Sequence, residues 1–140
     1  VRYILSQGVI IADSSLKKSS ILLLLVSDPI VRSVMNDTFE REGYSVWATG
    51  DLGHAADYLK MSTPDLLITR TYVEGLSGHD AAKYLRMKCL TMKVLIVGGL
   101  LADDRLYNRE ALEGFEVFPK PYPAAQLLKK VKEVLSTPRG

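Results

Sequence analysis

Pro64-Asp65-Leu66-Leu67-Ile68-Thr69-Arg70 runs directly into Thr71-Tyr72-Val73-Glu74-Gly75-Leu76-Ser77-Gly78. Leu66, Leu67 and Ile68 are consecutive apolar residues, which suits a strand covered on both faces, as in a parallel sheet. The segment after them reads as a Gly-rich loop. Parallel α/β sheets build their sites where strands end at the carboxyl side. Arg70 stands at that end, and a long cation at the mouth of a buried strand needs an explanation.

Outward from this strand the pattern repeats. Ile21 to Val26 is an apolar run of strand length. Ser27-Asp28-Pro29 follows it, with Asp28 suited to cap a helix and Pro29 pre-set for the first helical position. Val31, Val34, Met35 and Phe39 then recur at helical spacing, and Gly43 can end the helix. Tyr44 to Ala48 reads as a second strand containing Trp47. The turn Thr49-Gly50-Asp51 starts a second helix, with Leu52, Ala55, Ala56 and Leu59 on one face. Beyond the opening stretch, Gly78 to Met87 is helical, with Ala81, Ala82 and Leu85 apolar. Val94 to Val97 is a fourth strand, ended by Gly98-Gly99. Asp103 or Asp104 caps a weaker fourth helix carrying Leu106, Ala111 and Leu112. Phe115 to Phe118 is a short fifth strand, and Pro123 starts a last helix with Leu127, Leu128, Val131, Val134 and Leu135 on one face. Alternating strands and helices with short connections imply parallel pairing and right-handed crossovers. The expectation is a three-layer α/β sandwich with strand order 2-1-3-4-5.

The whole chain bounds this reading. Its 140 residues fit one domain with a single sizeable core. A formal net charge of +2 is too small to argue for nucleic acid or an anionic membrane. The single cysteine, Cys89, allows no intrachain disulfide and suits a reducing compartment. No apolar run reaches the roughly 20 residues of a membrane span. Gln7, Asp13 and Lys17 interrupt the start, which does not read as a signal peptide. The expected location is cytoplasmic. Residues 1–20 are expected to be an arm or linker, 21–136 the domain and 137–140 a tail. Within the arm, Val1-Arg2-Tyr3-Ile4-Leu5 and Val9-Ile10-Ile11-Ala12 are two apolar runs around Ser6-Gln7-Gly8. They suit a small hairpin or an extended segment that packs on the domain or on a neighbouring chain.

Three stretches carry a family resemblance. LLLLVSDPIVR (Leu22 to Arg32), PDLLITRTYVEGLSG (Pro64 to Gly78) and FPKPY (Phe118 to Tyr122) occur in this order with five strand–helix units between them. Over residues 21–136 the chain resembles the receiver domain of two-component response regulators. The resemblance implies a flavodoxin-like (βα)5 sandwich with a parallel sheet. It also implies a chemistry. In the family an aspartate at the end of the third strand takes a phosphoryl group. Acidic residues after the first strand hold Mg²⁺, a hard cation that wants oxygen ligands. A hydroxyl after the fourth strand and a lysine after the fifth bind the phosphoryl group, and an aromatic on the fifth strand reads the change out.

Carried over position by position, the resemblance puts the phosphoacceptor on Arg70. The two metal-holding positions fall on Val26 and Ser27, with Asp28 the acidic neighbour. The hydroxyl position falls on Gly98 and the switch aromatic on Val117. Glu74 stands where a loop proline is expected. Lys120 is retained, followed by Pro121. Arginine stays protonated and offers no nucleophilic lone pair, so it cannot be the acceptor. A single carboxylate facing cations binds Mg²⁺ poorly, so no cofactor and no metal are expected.

The plain structural reading of Arg70 is an ion pair with Asp28 across the strand ends, because buried charges tend to be paired. The functional one is an anion site made by Arg70, Lys120 and backbone N–H groups near Gly98 and Gly99. His54 and His79 share no metal spacing with a cysteine or carboxylate and are expected at the surface or as caps. No nucleophile elbow, dinucleotide fingerprint or P-loop occurs. Tyr107 on the fourth helix and Tyr122 before the fifth lie near the family's output face, and either could anchor a partner.

The sequence therefore predicts a degenerate receiver: not an enzyme, but a phosphorylation-independent interaction module in two-component or phosphorelay signalling. It would present the face of the fourth helix, fifth strand and fifth helix to a second copy of the chain or to an output domain. Neither nucleic acid nor membrane is an expected partner of this domain. Two alternatives remain open: a working phosphoreceiver with a displaced acceptor at Asp28 or Ser27, and an anion or ligand sensor using the Arg70–Lys120 cleft.

Overall fold

The computed structural model describes residues 20–70, 72–73, 76–97, 116–118 and 123–136. The first strand, β1 (Ile21–Leu25), leads into helix α1 (Pro29–Arg41). Strand β2 (Ser45–Thr49), helix α2 (Leu52–Tyr58) and strand β3 (Leu66–Arg70) follow. A two-stranded antiparallel ribbon, β4 (Tyr72–Val73) with β5 (Leu76–Ser77), then occupies the segment read as a simple loop. Helix α3 (Gly78–Arg86), strands β6 (Lys93–Val97) and β7 (Glu116–Phe118), and helix α4 (Ala124–Ser136) complete the described elements. The main sheet is five-stranded, in the order β2-β1-β3-β6-β7, and every pair in it is parallel. Leaving the ribbon aside, this is the predicted 2-1-3-4-5 order. The predicted arm before Ser20, the fourth helix near Asp103 and the tail lie outside the described residues.

Side-chain alternation along the strands makes two apolar layers. Leu23, Leu25, Leu67, Val94 and Ile96 point to one face and meet Ala55, Ala56 and Tyr58 of α2 and Ala81, Ala82 and Leu85 of α3. Leu22, Leu24, Leu66, Ile68, Leu95 and Val97 point to the other, against Met35 and Phe39 of α1 and Leu127, Val131 and Val134 of α4. Each fully buried Leu or Ile contributes about 1.5–3 kcal/mol of transfer free energy, most of it offset by chain ordering. On α1 the buried stripe is Met35 and Phe39, whereas Val34, expected on that stripe, is exposed. It falls on the solvent side because the stripe is narrower than the run of apolar residues.

Helix ends follow local chemistry. Asp28 caps α1 with Pro29 at its first position. Gly43 ends that helix with φ of +96°, a left-handed conformation that L side chains rarely adopt. Asp51 and Ser77 cap α2 and α3 through their side-chain oxygens. At the amino end of the sheet, Asp65 Oδ2 accepts from Ile21 N at 2.8 Å. There too, Lys93 Nζ donates to the carbonyls of Val134 and Leu135 at 2.9 and 3.2 Å, in the last turn of α4.

Candidate functional site at the carboxyl end of the sheet

The carboxyl ends of β1 and β3 lie side by side, with Leu25 in register with Thr69. Thr69 is fully buried, and its hydroxyl donates to the Leu25 carbonyl at 2.8 Å. This bond ties the two strand ends together one residue before the chain emerges. Arg70, the last residue of β3, is partly buried and pairs in register with Val97 of β6.

Val26 continues the line of β1. Its N–H donates to the Thr49 carbonyl at 3.0 Å and its side chain is fully buried on the α1–α4 side. Ser27 is half-exposed and Asp28 exposed. Asp28 Oδ1 accepts from Ile30 N at 2.9 Å and Val31 N at 3.2 Å, satisfying two donors that the first helical turn leaves without partners. The ion pairs among the described residues include Lys60–Asp57, with His79 Nδ1 also 3.7 Å from Asp80 Oδ1, and none joins Asp28 to Arg70. The expected Asp28–Arg70 pair is therefore not formed. The Asp28 carboxylate is held over the start of α1 by the helix's own N–H groups, and this competes with reaching across to β3.

A different cation closes the end of β1. Arg32, one turn into α1, donates from Nη1 to the Val26 carbonyl at 2.7 Å and more weakly to that of Ser27 at 3.4 Å. Gly50, in the turn after β2, makes room for it. A Cβ at position 50 would run into the Arg32 guanidinium and would sit 3.2 Å from the Val26 carbonyl oxygen and 3.3 Å from Ser27 Cα. Glycine is favoured here by close approach rather than by an unusual dihedral. Immediately after it, Asp51 Oδ1 accepts from His54 N at 2.9 Å. That backbone N–H holds the Asp51 carboxyl below its ordinary value.

The end of the sheet thus carries two arginines, and Asp28, the carboxylate after β1, is spent on a helix cap. No group of three or more His, Cys, Asp or Glu side chains could hold a metal ion among the described residues. His54 is exposed, as expected. His79 is not: it is 2% exposed, in the first turn of α3, with Nδ1 3.7 Å from Asp80 Oδ1. The first turn of α3 turns inward beside Gly78 and Ala82, both buried, so position 79 falls on the covered side. Gly98, Lys120, Pro121, Tyr107 and Tyr122 lie outside the described residues. Position 117 is placed through its backbone, which pairs with Ile96. Arg32 and Thr69 were missed by the sequence reading. Nothing in the sequence marks Arg32 beyond its place one turn after a capping Asp-Pro. Gly50 was read as a turn residue without its packing role.

The sequence profile of the response regulator receiver domain matches residues 23–132. The chain belongs to the receiver domain family. It is 24% identical over 114 residues to the sporulation initiation phosphotransferase F of Bacillus subtilis, covering 81% of this chain and 92% of that protein. It is 27% identical over 114 residues to the transcriptional regulatory protein CpxR of Escherichia coli K12, covering 81% of this chain but 48% of that regulator. Among solved structures it resembles a response regulator from Thermotoga maritima, with TM-score 0.75 and 19% identity over 86% of this chain and 100% of the other. It also resembles the chemotaxis protein CheY4 of Vibrio cholerae, with TM-score 0.73 and 18% identity over 84% and 99% of the two chains. In this receiver, the strand ends just described are those at which the family does its chemistry.

Proposed function

We propose that this receiver domain works without phosphorylation, as a protein-interaction module of two-component or phosphorelay signalling, with no catalysis of its own and no Mg²⁺. One observation carries the reading: Arg70 ends β3 and the Arg32 guanidinium, from α1, lies on the end of β1, where aspartyl-phosphate chemistry needs carboxylates. Arg70 cannot attack a phosphoryl donor. Arg32 lies on the carbonyls of Val26 and Ser27, which adds a second guanidinium charge at the end of β1. Val26 is buried apolar and Asp28 is engaged as a cap, which leaves no paired acids after β1 to recruit a divalent cation. Partner binding would fall to the face around Val117, Tyr107 and Tyr122, toward an output domain or a second copy, in the cytoplasm.

Incubation with acetyl phosphate and Mg²⁺, read by intact mass, tests this. The mass is expected to stay unchanged. An added phosphoryl group would overturn the proposal, and its mapping to Asp28 or Ser27 would establish the displaced-acceptor reading. A thermal-shift series with inorganic phosphate on the native chain and on Arg70→Ala tests the anion-sensor alternative. Equal melting temperatures with and without phosphate are expected.

A further inference from the structure

Seven large apolar side chains are exposed among the described residues, and four of them come from the ends of two neighbouring helices. Met61, just past α2, is 70% exposed; Tyr84, Met87 and Leu90, at and beyond the end of α3, are 47%, 77% and 68% exposed. Helices in this fold run opposite to the strands, so α2 and α3 end at the amino edge of the sheet. Met61 precedes β3 by a few residues, and Leu90 precedes β6 in the same way. Two methionines and a leucine exposed this fully, beside a tyrosine, are an apolar surface that water alone covers poorly.

The chain enters the sheet at this same edge. Ser20 accepts from Ser45 N at 3.1 Å, Ile21 begins β1, and Ile21 is partly buried against the α2–α3 layer. Strands β1, β3 and β6 are consecutive neighbours. Their starts therefore lie within about 10 Å of one another at a strand spacing of roughly 4.8 Å. The polar stretch Asp13 to Ser20 can span at most about 28 Å when extended. Anything before it is delivered to the exposed helix ends at an effective concentration on the order of millimolar. What lies before it is apolar: Val1-Arg2-Tyr3-Ile4-Leu5 and Val9-Ile10-Ile11-Ala12, with Arg2 the only charge among residues 1–12.

We infer that residues 1–12 of this chain seat on the apolar surface formed by Met61, Tyr84, Met87 and Leu90, so that the chain covers its own α2–α3 edge. The contact is apolar on both sides and so responds weakly to salt. Lys88 Nζ lies 4.8 Å from the centre of the Tyr84 ring and covers one of its faces. The open apolar area is therefore centred on the methionines and Leu90.

The four methionines make the test internal. Met35 and Met92 are buried in the core, whereas Met61 and Met87 belong to the proposed seat. Methyl-¹³C-methionine spectra are recorded on the full chain and on the full chain carrying Ile4→Asp and Ile10→Asp. Met61 and Met87 signals are expected to move while Met35 and Met92 stay, and in the native chain the Met87 methyl should show cross-relaxation to the Tyr3 ring. Unmoved Met61 and Met87 signals would overturn the inference. A mixture of labelled and unlabelled chains, filtered for contacts between molecules, gives the remaining outcome. If the Tyr3 contact arises between chains and fades on dilution, the seat takes a second copy's arm and self-coverage is wrong.

Discussion

The two ends of the parallel sheet treat charge in the same way and apolar surface in opposite ways. At the carboxyl end, Arg32, Asp28 and Thr69 all bond to backbone groups of strand or helix ends. At the amino end, Asp65 and Lys93 do the same, to Ile21 N and to the last carbonyls of α4. Exposed ion pairs contribute little, whereas backbone groups at element ends need partners, and these side chains supply them. The ends differ in what faces water. The carboxyl end presents arginines and a capped helix start; the amino end presents methionines and a leucine. The first is where receivers carry out chemistry, and here the Arg32 guanidinium bonds the carbonyls at the end of β1. The second is where the described domain exposes the apolar side chains that residues 1–12 are inferred to cover.

Substitutions that act on both ends, on one end, or on neither sharpen the contrast. Phe39, fully buried beside Met35, supports the α1–α4 layer under both ends. Phe39→Ala is expected to cost about 3–5 kcal/mol in urea unfolding and to loosen both ends together in hydrogen exchange. If one end kept its protection, the two would not share a core. Gly50→Ala acts at the carboxyl end only, costing on the order of 1–3 kcal/mol through crowding. The cost should shrink in an Arg32→Ala background but not vanish, because the contacts with Val26 and Ser27 remain. A double-mutant cycle with no coupling would remove Arg32 from the role described.

Asp28→Ala is expected to cost about 1 kcal/mol, and Asp28→Ser to recover most of it, since either oxygen can cap. If serine did not recover it, the carboxylate would be doing something other than capping. The smallest effect is a pH dependence at Asp51, whose folded-state value lies below the unfolded one because His54 N–H bonds the carboxylate. Its contribution is present above the ordinary carboxylate range, near pH 4, and is lost as pH falls through the lowered folded-state value. Asp51→Asn keeps an oxygen that can cap but does not titrate. Melting curves in acid should therefore lose this one slope in the variant.

The sheet order was readable because four apolar runs and their caps agree with one another at every level. Asp28, Pro29 and Gly43 each do what their local chemistry says. The ribbon of β4 and β5 was not readable, since two-residue strands leave no period to detect. Arg70 was legible as a cation at a strand end, but the absence of the expected pair was not. The sequence favours Asp28, whose carboxylate is claimed by α1. Arg32 was hidden because its role depends on Gly50, and only the fold brings the two together. His79 was misjudged for a similar reason: position 79 is turned inward by the start of α3, which no neighbouring residue announces.

The clasp of Lys93 on the carbonyls of Val134 and Leu135 has a mechanical side. It joins the first residue of β6 to the last turn of α4, where a cation also complements the helix dipole. A force applied at the end of that helix therefore reaches the start of β6 through one side chain, together with the apolar contact of Val134 in the same turn. Under load, Lys93→Met should let α4 peel away from its carboxyl end while its packing residues Leu127 and Val131 still hold.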